Sequence, residues 1–235
     1  MTLLILGGTR EAHEFAQRVG RPAVVSLAHD LEQRPYPVPA RRGGFGGLAA
    51  QRDWMVEDRI SAVLDASHAF AAVISLRTYA ICRDLQLPYL RLLRAGWRAG
   101  PGDKWTEVAT AQDAVALVAS DAVVLLTAGA EHLERFAGLK GHVICRSLMS
   151  DRLVPFDRGE WLTGGPMSME EERALMAARG VTHLISRNSG GARDKLDAAR
   201  DLGVRVILIA RPALPDGLPV VSTVDAGIAW VEALS

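Results

Sequence analysis

Leu3-Leu4-Ile5-Leu6-Gly7-Gly8-Thr9-Arg10-Glu11-Ala12 runs from four consecutive aliphatic residues into two glycines and then into a helical pattern. Four aliphatic residues without polar alternation describe a strand buried on both faces, as in a parallel sheet. Gly7 and Gly8 permit a tight turn and a close approach of backbone N–H groups to a phosphate. The helix beyond aims its positive end at that charge. Ala12 stands where close helix–strand packing asks for a small residue. This is a shortened relative of the GxGxxG turn. Alone it also fits a glycine-rich turn of any α/β protein; its position after the first strand favours a nucleotide site.

The same design continues along the chain. Short Val/Ile/Leu runs at 3–6, 23–27, 62–65 and 89–93 predict strands, with helices over 10–19, 47–59 and 70–85. A glycine-rich stretch, Gly96 to Asp103, then interrupts the alternation. Beyond it strands are expected at 123–127, 142–146, 183–186, 204–210 and 220–223, and helices over 111–119, 169–179, 193–202 and 226–234. The fold class expected is α/β, with two Rossmann-like lobes, residues 1–100 and 101–235, whose parallel sheets face each other across a cleft.

Composition narrows the function. The 235 residues carry 27 basic and 27 acidic side chains, so the electrostatic footprint of a nucleic-acid binder is missing. No apolar run reaches the roughly 18–20 residues of a membrane span. Met1 to Leu6 has no charged leader region, so no secretory signal is expected and a cytoplasmic location is. Cys82 and Cys145, far apart in apolar segments, form neither a disulfide framework nor a CxxC site. GxSxG, P-loop and HExxH motifs are missing, and the six histidines have no metal-ligand spacing, so no metal is expected.

An NAD site usually places a carboxylate about 20 residues beyond the glycine turn, at the end of the second strand. Here that strand ends Ser26-Leu27-Ala28, and Asp30 and Glu32 come later. Arg10 follows the glycine turn, and Arg41-Arg42 precede a second cluster, Gly43-Gly44-Phe45-Gly46-Gly47. Guanidinium forks suit a 2′-phosphate, so NADPH is the expected cofactor. The second cluster is read as a ligand loop in which Phe45 offers an aromatic face.

Asp65-Ala66-Ser67-His68-Ala69-Phe70 follows a predicted strand end, where open α/β sheets bind ligands, so Asp65, Ser67 and His68 are expected to face the cleft. A plainer reading makes Ser67 the cap of the next helix. Ser186-Arg187-Asn188-Ser189-Gly190-Gly191-Ala192-Arg193-Asp194-Lys195 repeats the strand–glycine–helix design. Lys195 is one of three lysines, and Arg91 and Arg211 lie in or at the ends of apolar strands. Such arginines suit a ligand with several carboxylates. Ser168 and Glu171 spell a capping box.

In order along the chain, Gly7–Ala12, Arg42–Gly47, Asp65–Ala71, Gly165–Ser168, Arg187–Gly191, Lys195 and Arg211-Pro212 make the sequence resemble the precorrin-6A reductase family of corrin-ring biosynthesis. The family's Thr-His-Pro is Ser67-His68-Ala69 here, which keeps a hydroxyl and the imidazole. Its Thr-Lys is Ser186-Arg187, which replaces a point donor by a fork.

The resemblance implies NADPH-dependent reduction of one carbon–carbon double bond of the precorrin-6A macrocycle, giving precorrin-6B. It implies a tetrapyrrole substrate, and neighbouring corrin-pathway enzymes as partners. On this reading Gly7, Gly8, Thr9, Arg10, Arg42, Gly43, Gly44, Phe45, Gly46 and Ser67 hold the cofactor. Arg187, Asn188, Ser189, Gly190, Gly191, Lys195 and Arg211 hold the substrate. His68, with an imidazole reference pKa of about 6.5, is the candidate proton donor, with Asp65 beside it. Two alternatives stand next to this one: an NAD(P)H-dependent reductase of a smaller substrate, which needs no second glycine loop, and a non-enzymatic NADP(H) sensor, which needs no polar loop in the second lobe.

Overall fold

Leu3 and Ile5 point to one side of the first strand, Leu4 and Leu6 to the other, and all four are buried. The computed structural model describes residues 2–28, 35–129, 133–148 and 153–234, and it places this strand inside a parallel sheet. In chain order the first elements are β1 (Thr2–Leu6), α1 (Arg10–Arg18), β2 (Ala23–Leu27), β3 (Ala40–Arg42), α2 (Leu48–Glu57), β4 (Ile60–Asp65), α3 (Ala72–Asp84) and β5 (Tyr89–Leu92). Next come β6 (Trp105–Val108), α4 (Ala111–Ala116), β7 (Val123–Thr127), a short 3-10 turn (Leu133–Phe136), β8 (His142–Ser147) and β9 (Gly159–Thr163). The chain ends with α5 (Met169–Ala178), β10 (His183–Arg187), α6 (Asp194–Asp201), β11 (Arg205–Ile209), β12 (Val220–Val221) and α7 (Val224–Glu232).

Two six-stranded sheets result, in the orders β12-β5-β4-β1-β2-β3 and β6-β11-β10-β7-β8-β9, with every pairing between neighbours parallel. In each sheet the strand order reverses about one central strand, β1 in the first and β7 in the second. This is the switch point at which doubly wound sheets bind ligands.

The chain divides into a unit of residues 1–95 and 212–235 and a unit of residues 96–211. The segment 212–235, expected in the second domain, therefore belongs to the first. Its strand β12 pairs with β5, Val220 opposite Arg91 and Val221 opposite Leu92. Gly227 of α7 admits the ring of Phe15 on α1: a methyl at that position would stand 3.4 Å from the ring. Local periodicity predicts a strand and a helix there; it carries no information about which sheet edge receives them.

In the first unit, one core packs Leu3, Ile5, Phe15, Val25, Leu64, Val224 and Val231 on one face of the sheet. A second packs Leu4, Leu6, Met55, Val63, Ile81 and Tyr89 on the other. Leu125, Ile144, Met176, Leu184, Leu196 and Leu208 form one core of the second unit. Strands β3, β6 and β9 were not expected, because Ala40-Arg41-Arg42, Trp105-Thr106-Glu107-Val108 and Gly159-Glu160-Trp161-Leu162-Thr163 lie at or beside sheet edges and lack a buried aliphatic run. The Ser168–Glu171 capping box is present at the start of α5. No helix is long and apolar enough to cross a membrane among the described residues.

Candidate functional site at the carboxyl edges of the sheets

In the first unit the switch point lies between β1 and β4. The Gly7 N–H donates to Ser26 O at 2.9 Å. A Cβ on Gly7 would stand 2.7 Å from Val25 Cγ1 and 2.9 Å from Leu27 Cδ2, so close packing on β2 excludes any side chain. Gly8 differs: its φ is +96°, and a Cβ there would meet nothing within 4 Å. The first glycine serves packing; the second leaves an open backbone edge at the start of a helix. Thr9 caps α1 by accepting from the Ala12 N–H at 3.1 Å, and its hydroxyl donates to Ala66 O at 2.7 Å, tying the turn to the end of β4. Arg10 is exposed on the first turn. Tyr36, which sequence reasoning missed, accepts the Gly8 N–H at 3.3 Å. Asp30 and Glu32 lie outside the described residues.

The glycine loop after β3 is held from beneath by Arg41. Its guanidinium donates to Ser26 Oγ (2.8 Å), Gly43 O (2.9 Å) and Gly44 O (3.1 Å), and stacks 3.7 Å from the centre of the Phe45 ring. Phe45 also lies 5.3 Å from Trp54. The aromatic face expected to meet a flat ligand is therefore covered by Arg41, and Phe45 anchors the loop. Gly43, Gly46 and Gly47 take positive φ values of +90°, +82° and +124°, and Arg42 is exposed at the carboxyl end of the edge strand.

Beyond β4 the structure corrects the expectations for Asp65, Ser67 and Arg91. Asp65 is fully buried and does not face a crevice. Its carboxylate pairs with Arg91 Nη1 at 2.5 Å, accepts the Tyr89 hydroxyl at 2.7 Å and accepts the Ser67 N–H at 3.0 Å. Ser67 is also buried: its hydroxyl accepts from Arg91 at 2.8 Å and lies 3.3 Å from Ser75 Oγ. It does not cap α3, whose N-cap is Ala71. His68 is half-buried, and its Nδ1 accepts the Phe70 N–H at 3.3 Å. Accepting at Nδ1 keeps the hydrogen of a neutral imidazole on Nε2. Burial pushes the Tyr89 phenol far up, beside the Asp65 charge. Arg91, expected among ligand arginines, is 1% exposed and supports this loop instead.

In the second unit the corresponding edge follows β7 and β10. Gly129, with φ +89°, follows β7, and a Cβ on it would stand 2.9 Å from Arg187 Nη2. Asn188, expected to bind substrate, spends its amide on the fold. Oδ1 accepts the Trp97 N–H at 2.8 Å, and Nδ2 donates to Trp97 O at 3.1 Å and Glu107 Oε1 at 3.2 Å. The Trp97 indole donates to Gly191 O at 2.9 Å, and Arg211 donates to Asn188 O at 2.7 Å, so both brace the loop containing Ser189, Gly190 and Gly191. Gly190 and Gly191 take φ values of +71° and +90°.

Lys195 Nζ donates to Ser186 Oγ (2.8 Å) and Thr127 Oγ1 (3.2 Å) and lies 5.2 Å over the Trp97 ring. Burial, and then Arg146 and Arg187 nearby, push its ammonium down to about 8, with Glu172 opposing. Arg146 of β8 pairs with Glu172 of α5 at 2.7 Å, both side chains buried. Neither was anticipated, although Arg146 breaks the apolar run Val143-Ile144-Cys145 as visibly as Arg91 breaks its own.

The family model described as precorrin-6x reductase CbiJ/CobK matches residues 2–232. The chain is 36% identical to precorrin-6A reductase of Mycobacterium tuberculosis (strain CDC 1551 / Oshkosh), over 99% of this chain and 98% of that one. It is 36% identical to precorrin-6A reductase of Rhodobacter capsulatus, over 97% and 95%. With cobalt-precorrin-6A reductase of Priestia megaterium it shares 29%, over 92% of each. A solved structure titled CobK precorrin-6A reductase superposes with a TM-score of 0.92 at 34% identity, covering 99% of this chain and 96% of that one.

Proposed function

The chain belongs to the precorrin-6x reductase family, and from that premise we propose how its two units divide the work of a precorrin-6A reductase. It is an oxidoreductase that reduces a carbon–carbon double bond of the macrocycle, and a nicotinamide cofactor is its hydride source. The observation that carries the assignment to the first unit is Gly8: a left-handed residue with open space before it, at the positive end of α1 and at the switch point of the sheet. Such a cradle fits a pyrophosphate.

We read the cofactor as NADPH. The backbone of Gly8 and Thr9 receives the pyrophosphate, the Gly8 N–H exchanging the Tyr36 hydroxyl for it while the Gly7 N–H stays on Ser26 O, and Arg10 and Arg42 receive the 2′-phosphate. Arg41 holds the Gly43–Gly46 loop in place for it. Ser67 and His68 stand beside the nicotinamide, Ser67 as the buried support of the loop and His68 as the side chain that faces the ring. When bound, the cofactor supplies a hydride to one carbon of the double bond. His68, neutral with its Nδ1 accepting the Phe70 N–H, donates Nε2–H to the water that gives its proton to the other carbon and is restored from solvent. In the second unit Arg187, Lys195 and the Ser189–Gly191 backbone hold carboxylates of the macrocycle, while Asn188 and Arg211 keep that loop in shape.

Anaerobic mixing of the protein with NADPH and precorrin-6A tests the reading. Loss of nicotinamide absorbance matched by a product heavier by two hydrogens is the expected result. Tight cofactor binding with no change in either precorrin-6A or its cobalt form would overturn it.

Two further results are expected. Arg42→Ala removes a charge-assisted contact of about 1.5–3 kcal/mol, so kcat/KM for NADPH falls roughly 10- to 150-fold while that for NADH stays within about twofold. An equal fall with both cofactors would remove Arg42 from the 2′-phosphate. The second concerns pH. The Lys195 ammonium is charged below about 8 and neutral above it, so its hold on a carboxylate weakens as pH rises through that value. KM for the macrocycle climbs several-fold between about pH 7 and pH 9, and Lys195→Met flattens the rise. The sign for folding is opposite: between about 8 and 10.5 the unfolded chain binds the proton that the fold has released, so this group makes the fold more stable as pH rises. A pH-independent KM for the macrocycle in the unaltered protein would exclude Lys195 as a contact.

A further inference from the structure

Arg91 is among the largest fully buried side chains of the described residues, and it reaches from β5 to the end of β4. Its guanidinium makes an ion pair with Asp65 and four other polar contacts. Nη1 donates to Ser67 Oγ (2.8 Å) and Ser75 Oγ (2.5 Å), and Nη2 to Ser67 O (3.3 Å) and His68 O (3.1 Å). Asp65 adds the Ser67 N–H to the same assembly. Three of the five groups that Arg91 holds thus belong to residues 67 and 68. The fifth, Ser75, lies on the first turn of α3, just beyond the loop. Arg91 Nε has no hydrogen-bond partner in this buried setting.

A buried guanidinium–carboxylate pair is a poor way to gain stability, since apolar residues of similar volume do as well or better. Its distinguishing capacity is directional, because a planar fork fixes several acceptors at once where a point charge cannot. Here those acceptors include the two consecutive carbonyls on either side of the His68 Cα. The Arg91 N–H in turn donates to Pro219 O at 2.9 Å, so the returning C-terminal segment braces the arginine from the other side.

We propose that Arg91 is a positioning residue for the reduction: through Ser67 and His68 it sets where the His68 imidazole stands. This rests on the reading that places Ser67 and His68 beside the nicotinamide. Arg91→Lys keeps a positive charge for Asp65 but loses the fork. Because a misplacement of the order of 1 Å costs about 100-fold in rate, kcat falls roughly 30- to 100-fold. The dissociation constant for NADPH, set at Gly8, stays within about threefold. A double variant, Asp65→Asn with Arg91→Met, leaves no buried charge and shows the same loss of kcat.

The imidazole resonance of His68, identified by its disappearance in His68→Gln, separates the possible failures. NADPH is expected to shift this resonance in the unaltered protein and to shift it differently in Arg91→Lys. If Arg91→Lys melts at lower temperature but keeps kcat within twofold, the arginine is a staple of the fold and the proposal is overturned. If NADPH shifts the resonance identically in both proteins and their kcat values agree, the proposal falls while the placement of the loop stands. If NADPH leaves the resonance of the unaltered protein unmoved, the placement fails and takes the proposal with it.

Discussion

Gly8→Val raises KM for NADPH by roughly 100-fold or more, with the macrocycle's own binding unchanged. At φ +96° a side chain carries a steric cost of about 1–2 kcal/mol, more when it is β-branched. The branched group also projects into the open space before the turn, where a phosphate would be cradled. Losing one charge-assisted backbone contact adds about 1.5–3 kcal/mol. The neighbouring glycine provides a contrast. Gly7→Ala has no positive φ to strain but drives a methyl into Val25 and Leu27 of β2, so its fall in melting temperature outweighs its loss of cofactor affinity, the reverse of Gly8→Val. Fluorescence titration with NADPH and thermal melting of both variants separate the two effects. A Gly8→Val protein with unaltered KM would move the pyrophosphate away from this turn.

Arg91→Met lowers the stability of the first unit by about 3–5 kcal/mol, the cost of leaving a buried carboxylate without its partner. Asp65 is 0% exposed, and its remaining contacts, the Tyr89 hydroxyl and the Ser67 N–H, are neutral donors. For a urea dependence of about 2 kcal/mol per molar, the transition of that unit moves down by roughly 2 M. Adding Asp65→Asn removes the stranded charge and recovers most of the loss. Urea unfolding followed by circular dichroism reads both. If the single and double variants unfold at the same midpoint, the pair is not coupled and the account of this core fails.

The parts of the site that sequence made legible are those whose chemistry is local. Gly7 and Gly8 are neighbours in a strand–turn–helix, and the same short stretch that requires them places them at the sheet edge. The Ser189–Gly191 loop and the capping box of α5 were legible for the same reason. Asp65 and Ser67 were read correctly as residues at a strand end but wrongly as ligand contacts. A polar residue there faces a ligand or a buried partner according to what the adjacent strand supplies. Here β5 supplies Arg91. Asn188 follows the same logic, since Trp97, far from it in sequence, takes its amide. Phe45 stands on Arg41, whose sequence neighbour Arg42 was the one singled out.

By itself, then, the sequence determined the α/β class, the positions of the long buried strands, the glycine turns and, through the ordered set of its motifs, the family. These follow from hydrophobic period and backbone sterics, which act over a few residues. Only the tertiary structure decided that β12 and α7 join the first unit, that three weakly apolar strands complete the sheets, and which polar side chains are consumed by the core. Those outcomes depend on pairings between segments remote in the chain, where the burial of one charge is tolerable only if a particular distant residue arrives to meet it.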